Sequence, residues 1–128
     1  MNIYIDADVM VAWEKGEFDL PDCLEQRPND TAMFPATVWQ QLLYGAFAWE
    51  PARVQKRMRL LNSLRMGVSS FARRHAGRAA QIAADLKSSA IGFADCQIAA
   101  SALEDSAELL TLNPRHFSRV PGLRLAVV

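Results

Sequence analysis

The 128 residues hold 14 Lys or Arg against 14 Asp or Glu, so the formal net charge is zero. At 51% hydrophobic and 22% charged residues, the composition is that of a globular protein, read as one domain over residues 1–128. No apolar run reaches the length of a membrane span and no basic stretch with an apolar core opens the chain, so neither a membrane-spanning nor a secretory protein is expected.

The first stretch, MNIYIDADVM, sets the pattern. Ile3, Tyr4 and Ile5 are strand formers in a short apolar run. The run stops at Asp6, with a second acid at Asp8, and Val9, Met10, Ala12 and Trp13 continue at helical spacing. This reads as a buried parallel strand, an acidic turn and a helix start. Ligand sites in open α/β sheets lie beyond the carboxyl ends of strands, where Asp6 would stand. The plainer alternative, that Asp6 and Asp8 only cap the helix, remains open from this stretch alone. Gly16 ends the helix as a C-cap.

A short helix is expected over Asp19–Gln26, with Pro21 in its first turn, then a turn over Arg27–Asp30. Thr31–Phe34 reads as a second strand, closed by Pro35. Thr37 is the expected N-cap of the next helix, which places Val38, Leu42 and Gly45 on one side. Glu50-Pro51 breaks that pattern. Pro51 to Leu64 has the 4-3-3 stripe of an amphipathic helix in Val54, Met58, Leu61 and Leu64. Residues 65–69 suggest a weak third strand. Gly77–Ser88 reads as an Ala-rich helix packing through Ala80, Ala83 and Leu86, and Ser88-Ser89-Ala90 as a loop. Gly92–Glu104 is a helix with Ile98, Ala99 and Ala102 buried. Glu108–Thr111 forms a fourth strand, Leu112–Phe117 a turn, and Leu123–Val127 a last strand. Strands alternating with helices argue for a parallel sheet covered on both faces.

Charge is uneven along the chain. Residues 1–50 hold nine acids and two bases, residues 51–84 eight bases and no acid, and residues 85–128 five acids and four bases. The basic block is either a solvated face or a phosphate-binding surface. Cys23 and Cys96 have no metal or disulfide spacing and are expected as free thiols in a reducing cytoplasm.

Four motifs in order carry a family resemblance: IYIDADVM, ATVWQQLLYGA, GFADCQIAASAL and LLTLNPRHFSRVPGLRL. Together they resemble PIN-domain nucleases, and among these the VapC-like toxins of toxin–antitoxin pairs. The resemblance implies a three-layer α/β/α fold with a central, mostly parallel sheet of four to five strands. It places the family's metal-binding acids at Asp6, Gln41, Asp95 and Asn113. Two of these positions depart from the acids: Gln41 stands where the family has Glu, and Asn113 is a substitution similar to that of many VapC-like members.

The implied activity is a Mg²⁺- or Mn²⁺-dependent endoribonuclease acting in the cytoplasm. Asp6 and Asp95 would hold the cation, with Asp8 as a third carboxylate or a ligand through water. Thr111 would bond a ligand carboxylate or a phosphate, and Asn113 a metal-bound water. Arg53, Lys56, Arg57, Arg73 and Arg74 would hold the RNA backbone. A homodimer and a small antitoxin partner are implied. The missing charge at Gln41 supports an alternative, a weakened or inactive module that binds RNA or antitoxin. A flap-type DNA nuclease is a third reading. His116 is expected to be structural, Trp13, Trp39 and Trp49 to be core or interface, and Cys96 a buried filler. His75 is one member of the basic run.

Overall fold

The computed structural model describes residues 1–48, 51–89 and 91–126. The expectations placed on Trp49, Glu50, Ala90 and Val127 lie outside these. Four parallel strands form one sheet in the order β3-β2-β1-β4: β1 (Asn2–Ile5), β2 (Thr31–Pro35), β3 (Gly67–Ser69) and β4 (Ala107–Leu110). Beside them run α1 (Ala7–Glu14), α2 (Leu20–Glu25), α3 (Ala36–Phe47), α4 (Pro51–Ser63), α5 (Arg73–Asp85), α6 (Phe93–Glu104) and the single turn α7 (Pro114–Phe117). This is the expected three-layer α/β/α fold. Interior β1 is buried on both faces, with Ile3, Tyr4 and Ile5 at most 2% exposed, which is why its sequence is a run rather than an alternation. No helix of the described residues is long and apolar enough to cross a membrane.

Several boundaries differ from expectation. α3 starts at Ala36, with Pro35 rather than Thr37 as N-cap, and the Thr37 hydroxyl instead donates to Gln97 Oε1 on α6 at 3.2 Å. α5 starts at Arg73 instead of Gly77, because His75 Nδ1 reaches back to accept the Ala72 N–H at 2.8 Å. That reach is the second half of a capping box, made here by an imidazole. The earlier start sets the helix phase. His75, Ala79 and Ile82 face the core, while Ala80 is exposed. A 3₁₀ turn covers Lys87–Ser89. Leu112–Phe117, expected as a turn, includes α7, and the last strand is reduced to a single parallel bridge between Leu109 and Leu125.

The stripe of α4 is only partly covered. Leu61 is buried, whereas Val54, Met58 and Leu64 are half-buried. Much of the hold on α4 is polar. Arg57 makes a bidentate pair with Glu14 of α1, Nε to Oε2 at 2.8 Å and Nη2 to Oε1, and its Nη1 donates to the Leu42 carbonyl at 2.8 Å. At Gly45 of α3 an added Cβ would lie 3.0 Å from Arg57 Nη1, so a side chain there would push this guanidinium aside. Gly16 has φ +74°, the left-handed turn that ends α1.

Candidate metal and phosphodiester site

The sheet register builds the site. Ile5 of β1 pairs with Leu110 of β4, and the Asp6 N–H continues that ladder to the Leu110 carbonyl at 2.9 Å. The next residues along, Asp6 and Thr111, therefore stand side by side at the carboxyl ends of two strands. Thr111 Oγ1 donates to Asp6 Oδ2 at 2.8 Å and lies 3.2 Å from Asp8 Oδ2. One hydroxyl proton thus serves two carboxylates. Asp8 also accepts the Leu112 N–H, at 3.1–3.2 Å, and the Asn113 N–H donates to Thr111 Oγ1 at 3.1 Å.

Asp6 does cap α1, since its Oδ1 accepts the Ala7 N–H at 2.8 Å. Capping accounts for only one of its oxygens. The residue is 8% exposed, and its pKa is pushed up to about 6. Burial is the main cause, followed by the charge of Asp8. The bonds from Thr111 and Ala7 oppose the rise, and the charge of Asp95 adds to it. Asp95 acts on Asp6 through space although 89 residues separate them in the chain.

Asp95 does not cap its helix. Gly92 is the N-cap of α6, and Asp95 lies in the first turn, with Oδ2 3.1 Å from His116 Nδ1. His116, expected as a packing residue, therefore touches one of the candidate acids, while its neighbour Phe117 is buried in the core. Only the spacing of His116, three residues beyond Asn113 in the same turn, could have signalled this. Asn113 is exposed and is the N-cap of α7 without a side-chain cap bond. Gln41 sits on α3 with its Oε1 buried and lacking a hydrogen-bond partner among the described residues. Cys96 is buried and its thiol is pushed up, chiefly by burial.

This donor set fits a hard divalent cation. It offers carboxylate oxygens from two chain segments, and Gln41, on α3, has a buried amide oxygen without a partner among the described residues. Among the described residues no group of three or more His, Cys, Asp or Glu side chains is placed to hold a metal ion. Mg²⁺ seldom uses such a group, since it is bound by one or two carboxylates with water and substrate phosphate filling the shell.

The basic block divides in two. Arg53, Lys56 and Arg57 line a cleft of about 720 Å³ between α1, α3 and α4, which also reaches Ala7 and Gln41. Within it Arg57 is committed to Glu14 and Leu42, while Lys56 is exposed. Arg73 and Arg74 open α5, and Arg74 pairs with Asp105 at 2.6 Å, at the far end of α6 from Asp95. Ten residues of helix separate those ends, about 15 Å at 1.5 Å per residue. Trp13 and Trp39 are half-buried against the core, Trp39 with its ring 6.3 Å from that of Phe34.

Residues 3–123 match the family model of the PIN domain. No curated protein shows a significant match. Among solved structures, VapBC2 from Rickettsia felis bound to a DNA fragment from its promoter is similar at TM-score 0.86 and 22% identity, covering 98% of both chains. DNA-bound VapBC from Salmonella typhimurium is similar at 0.84 and 21%, covering 98% of this chain and 97% of that one. VapBC-1 from nontypeable Haemophilus influenzae gives 0.81 and 24%, with the same coverage.

Proposed function

This chain belongs to the PIN domain family, and from that premise we propose that it is a divalent-metal-dependent endoribonuclease of the VapC type, the toxin of a toxin–antitoxin pair. The observation that carries the reading is the charge imbalance at the end of β1. Asp6 and Asp8 share the Thr111 hydroxyl there, and the charge of Asp95 reaches Asp6. Among the described residues no Lys or Arg is hydrogen-bonded to any of the three, and the pKa of Asp6 is raised. A fold does not need such an arrangement, but a cation site does.

In this reading Asp6, Asp95 and Asp8 hold Mg²⁺ or Mn²⁺, with the Gln41 amide oxygen as a neutral donor. Bound there, the ion supplies the charge that polarises a phosphodiester and lowers the pKa of a water. Thr111 keeps the Asp6 and Asp8 carboxylates in register through its hydroxyl. Asn113 presents an exposed amide beside them for water or phosphate. His116 fixes the direction of Asp95. Lys56 and Arg53 on the cleft rim hold the RNA backbone. Arg73 and Arg74, one helix length from Asp95, would touch RNA only if it extends well past the cut. A small antitoxin, a homodimer and a cytoplasmic setting belong to the same proposal. The VapBC folds to which this chain is similar support the antitoxin.

The test is cleavage of RNA by the purified protein with Mg²⁺ or Mn²⁺, beside Mn²⁺ titration by calorimetry. The wild type should bind Mn²⁺ and cut RNA, and Asp6→Asn or Asp95→Asn should remove both. Absence of Mn²⁺ binding and of cleavage in the wild type would sink the proposal. Gln41 favours the second reading, a module that binds RNA or antitoxin without cutting. Binding of RNA without metal-dependent cleavage would select it.

A further inference from the structure

Building on the reading of the acidic cluster as the place where RNA is cut, we propose that Phe93 is a stacking platform for an RNA base beside that cluster, with Arg115 holding the backbone next to it. Helical spacing puts Phe93 on the face of α6 that carries Cys96 and Ala100, both buried. Phe93 is nevertheless 78% exposed, more than any other large hydrophobic side chain among the described residues. Phe93 is the first residue of α6, two before Asp95, whose charge acts on Asp6 at the end of β1. The helix packs without the ring, through Cys96, Ile98, Ala99, Ala100 and Ala102.

The segment around Phe93 is pinned on both sides to α7 and the residues after it. Arg119 Nη1 donates to the Ser89 carbonyl at 2.6 Å, and His116 meets Asp95. Phe93 therefore lies in a segment tied on both sides to this region, where Arg115 is the neighbour of His116. Leu112, also exposed, belongs to the same rim, because its N–H holds Asp8. Neither Lys87 nor Arg115 makes a salt bridge among the described residues. A polyanion brought to the carboxylates thus meets an exposed aromatic ring two residues before Asp95, and an arginine next to the histidine that holds Asp95. That pairing of stacking surface and positive charge suits an unpaired nucleotide, since only a base out of its helix can lie on a ring. Charge complementarity favours RNA over a second copy of this chain as the occupant.

Binding is measured on the full chain in EDTA by fluorescence anisotropy. The probes are labelled short oligoribonucleotides of A, of U and of C, and an A·U duplex. Phe93→Ala should weaken single-strand binding about tenfold while duplex binding is unchanged, and Phe93→Trp should restore it. Arg115→Ala should weaken every probe and lower the salt slope by about one. Wild-type binding of all single strands by Phe93→Ala would overturn the proposal. So would a change of oligomeric state in that variant by light scattering, which would make the ring a subunit contact, or loss of its fold by circular dichroism. The two readings fail separately. If the wild type binds through Phe93 but cuts nothing, the cleavage reading falls. If it cuts RNA and Phe93→Ala keeps the same KM and cut positions, the platform falls alone.

Discussion

Replacing Asp6 with Asn should stabilise the metal-free protein while abolishing its metal binding. Asp6 has a folded-state pKa of about 6 against an ordinary 3.8. Holding it ionised at pH 7.5 therefore costs about 3 kcal/mol, at 1.36 kcal/mol per pH unit. Asn removes the charge and can keep the contacts. Its Oδ1 still accepts from Ala7, and its Nδ2 can donate to a Thr111 hydroxyl that turns toward Asp8. Asn caps helices about as well as Asp. The sign follows from proton counting. Between pH 3.8 and about 6 the unfolded carboxyl is ionised while the folded one keeps its proton, so wild-type stability falls as pH rises through that window. The gap between Asp6→Asn and wild type should thus be near zero below pH 4 and reach about 3 kcal/mol above pH 6, or roughly 10 °C in Tm. Urea unfolding in EDTA across this range measures it. An Asp6→Asn protein no more stable than wild type at pH 7.5, or a gap that does not close in acid, would refute the reasoning.

Asp105 should behave in the opposite sense. Burial raises its pKa, but bonds from Tyr4, His75 and Arg74 outweigh this and hold it below the usual carboxylate range, so its contribution is complete above pH 3.8 and is lost as pH falls below that. Asp105→Ala should cost about 3 kcal/mol in urea unfolding, because it strands two buried donors. Gln41→Glu should tighten Mn²⁺ binding by at least about tenfold in calorimetry and raise RNA cleavage, since even a strongly screened full charge a few ångströms from the ion is worth more than an amide dipole. No gain in either would mean that Gln41 is not near the ion. Arg57→Ala and Lys56→Ala should separate two roles within the basic block. The first should cost about 2–3 kcal/mol of stability through loss of a half-buried bidentate pair, and the second should leave the unfolding midpoint unchanged while weakening RNA binding with a shallower salt slope.

What could be read from the residues follows a physical division. β1 was legible because a doubly buried parallel strand is a continuous apolar run, and its end at Asp6 is a change of chemistry. α6 was legible because Gly92 and the small residues after it fix both its start and its phase. α5 was not. Its stretch Ala79-Ala80, Ala83-Ala84 is nearly the same on every face, so phase had to come from Ile82 and His75. His75 looked like one more cation in a basic run. It is in fact 1% exposed, joining Ala72 to Asp105, a contact between residues 30 apart. Phe93 was missed for the converse reason. Local spacing marks it as core, yet as the first residue of α6 it is 78% exposed. The place of Arg57 was hidden too, because nothing in residues 51–64 reveals that Glu14 lies across from it.

The two ends of α6 act as an internal control on the site. Each end carries an aspartate beside a histidine: Asp105 meets His75 and Tyr4 of β1, and Asp95 meets His116 while its charge acts on Asp6 at the end of β1. At Asp105 the carboxylate receives Tyr4 Oη, His75 Nε2 at 2.9 Å and Arg74 Nη2 at 2.6 Å, and its pKa falls. Tyr4 answers with a pKa raised to about 12, chiefly by burial. That is how this fold treats a carboxylate it uses for structure, with donors and a compensating cation. At Asp6 the same chain gathers two carboxylates around one threonine hydroxyl, with the charge of Asp95 acting from outside that pair, and the pKa rises. Arg57 on α4 is bound to Glu14 and the Leu42 carbonyl and is not among the main influences on Asp6. A protein able to satisfy Asp105 so fully has the means to satisfy Asp6. In the proposed reading, the charge it leaves uncompensated there matches a divalent ion, and Gln41 and Asn113 are the two candidate positions that carry no charge.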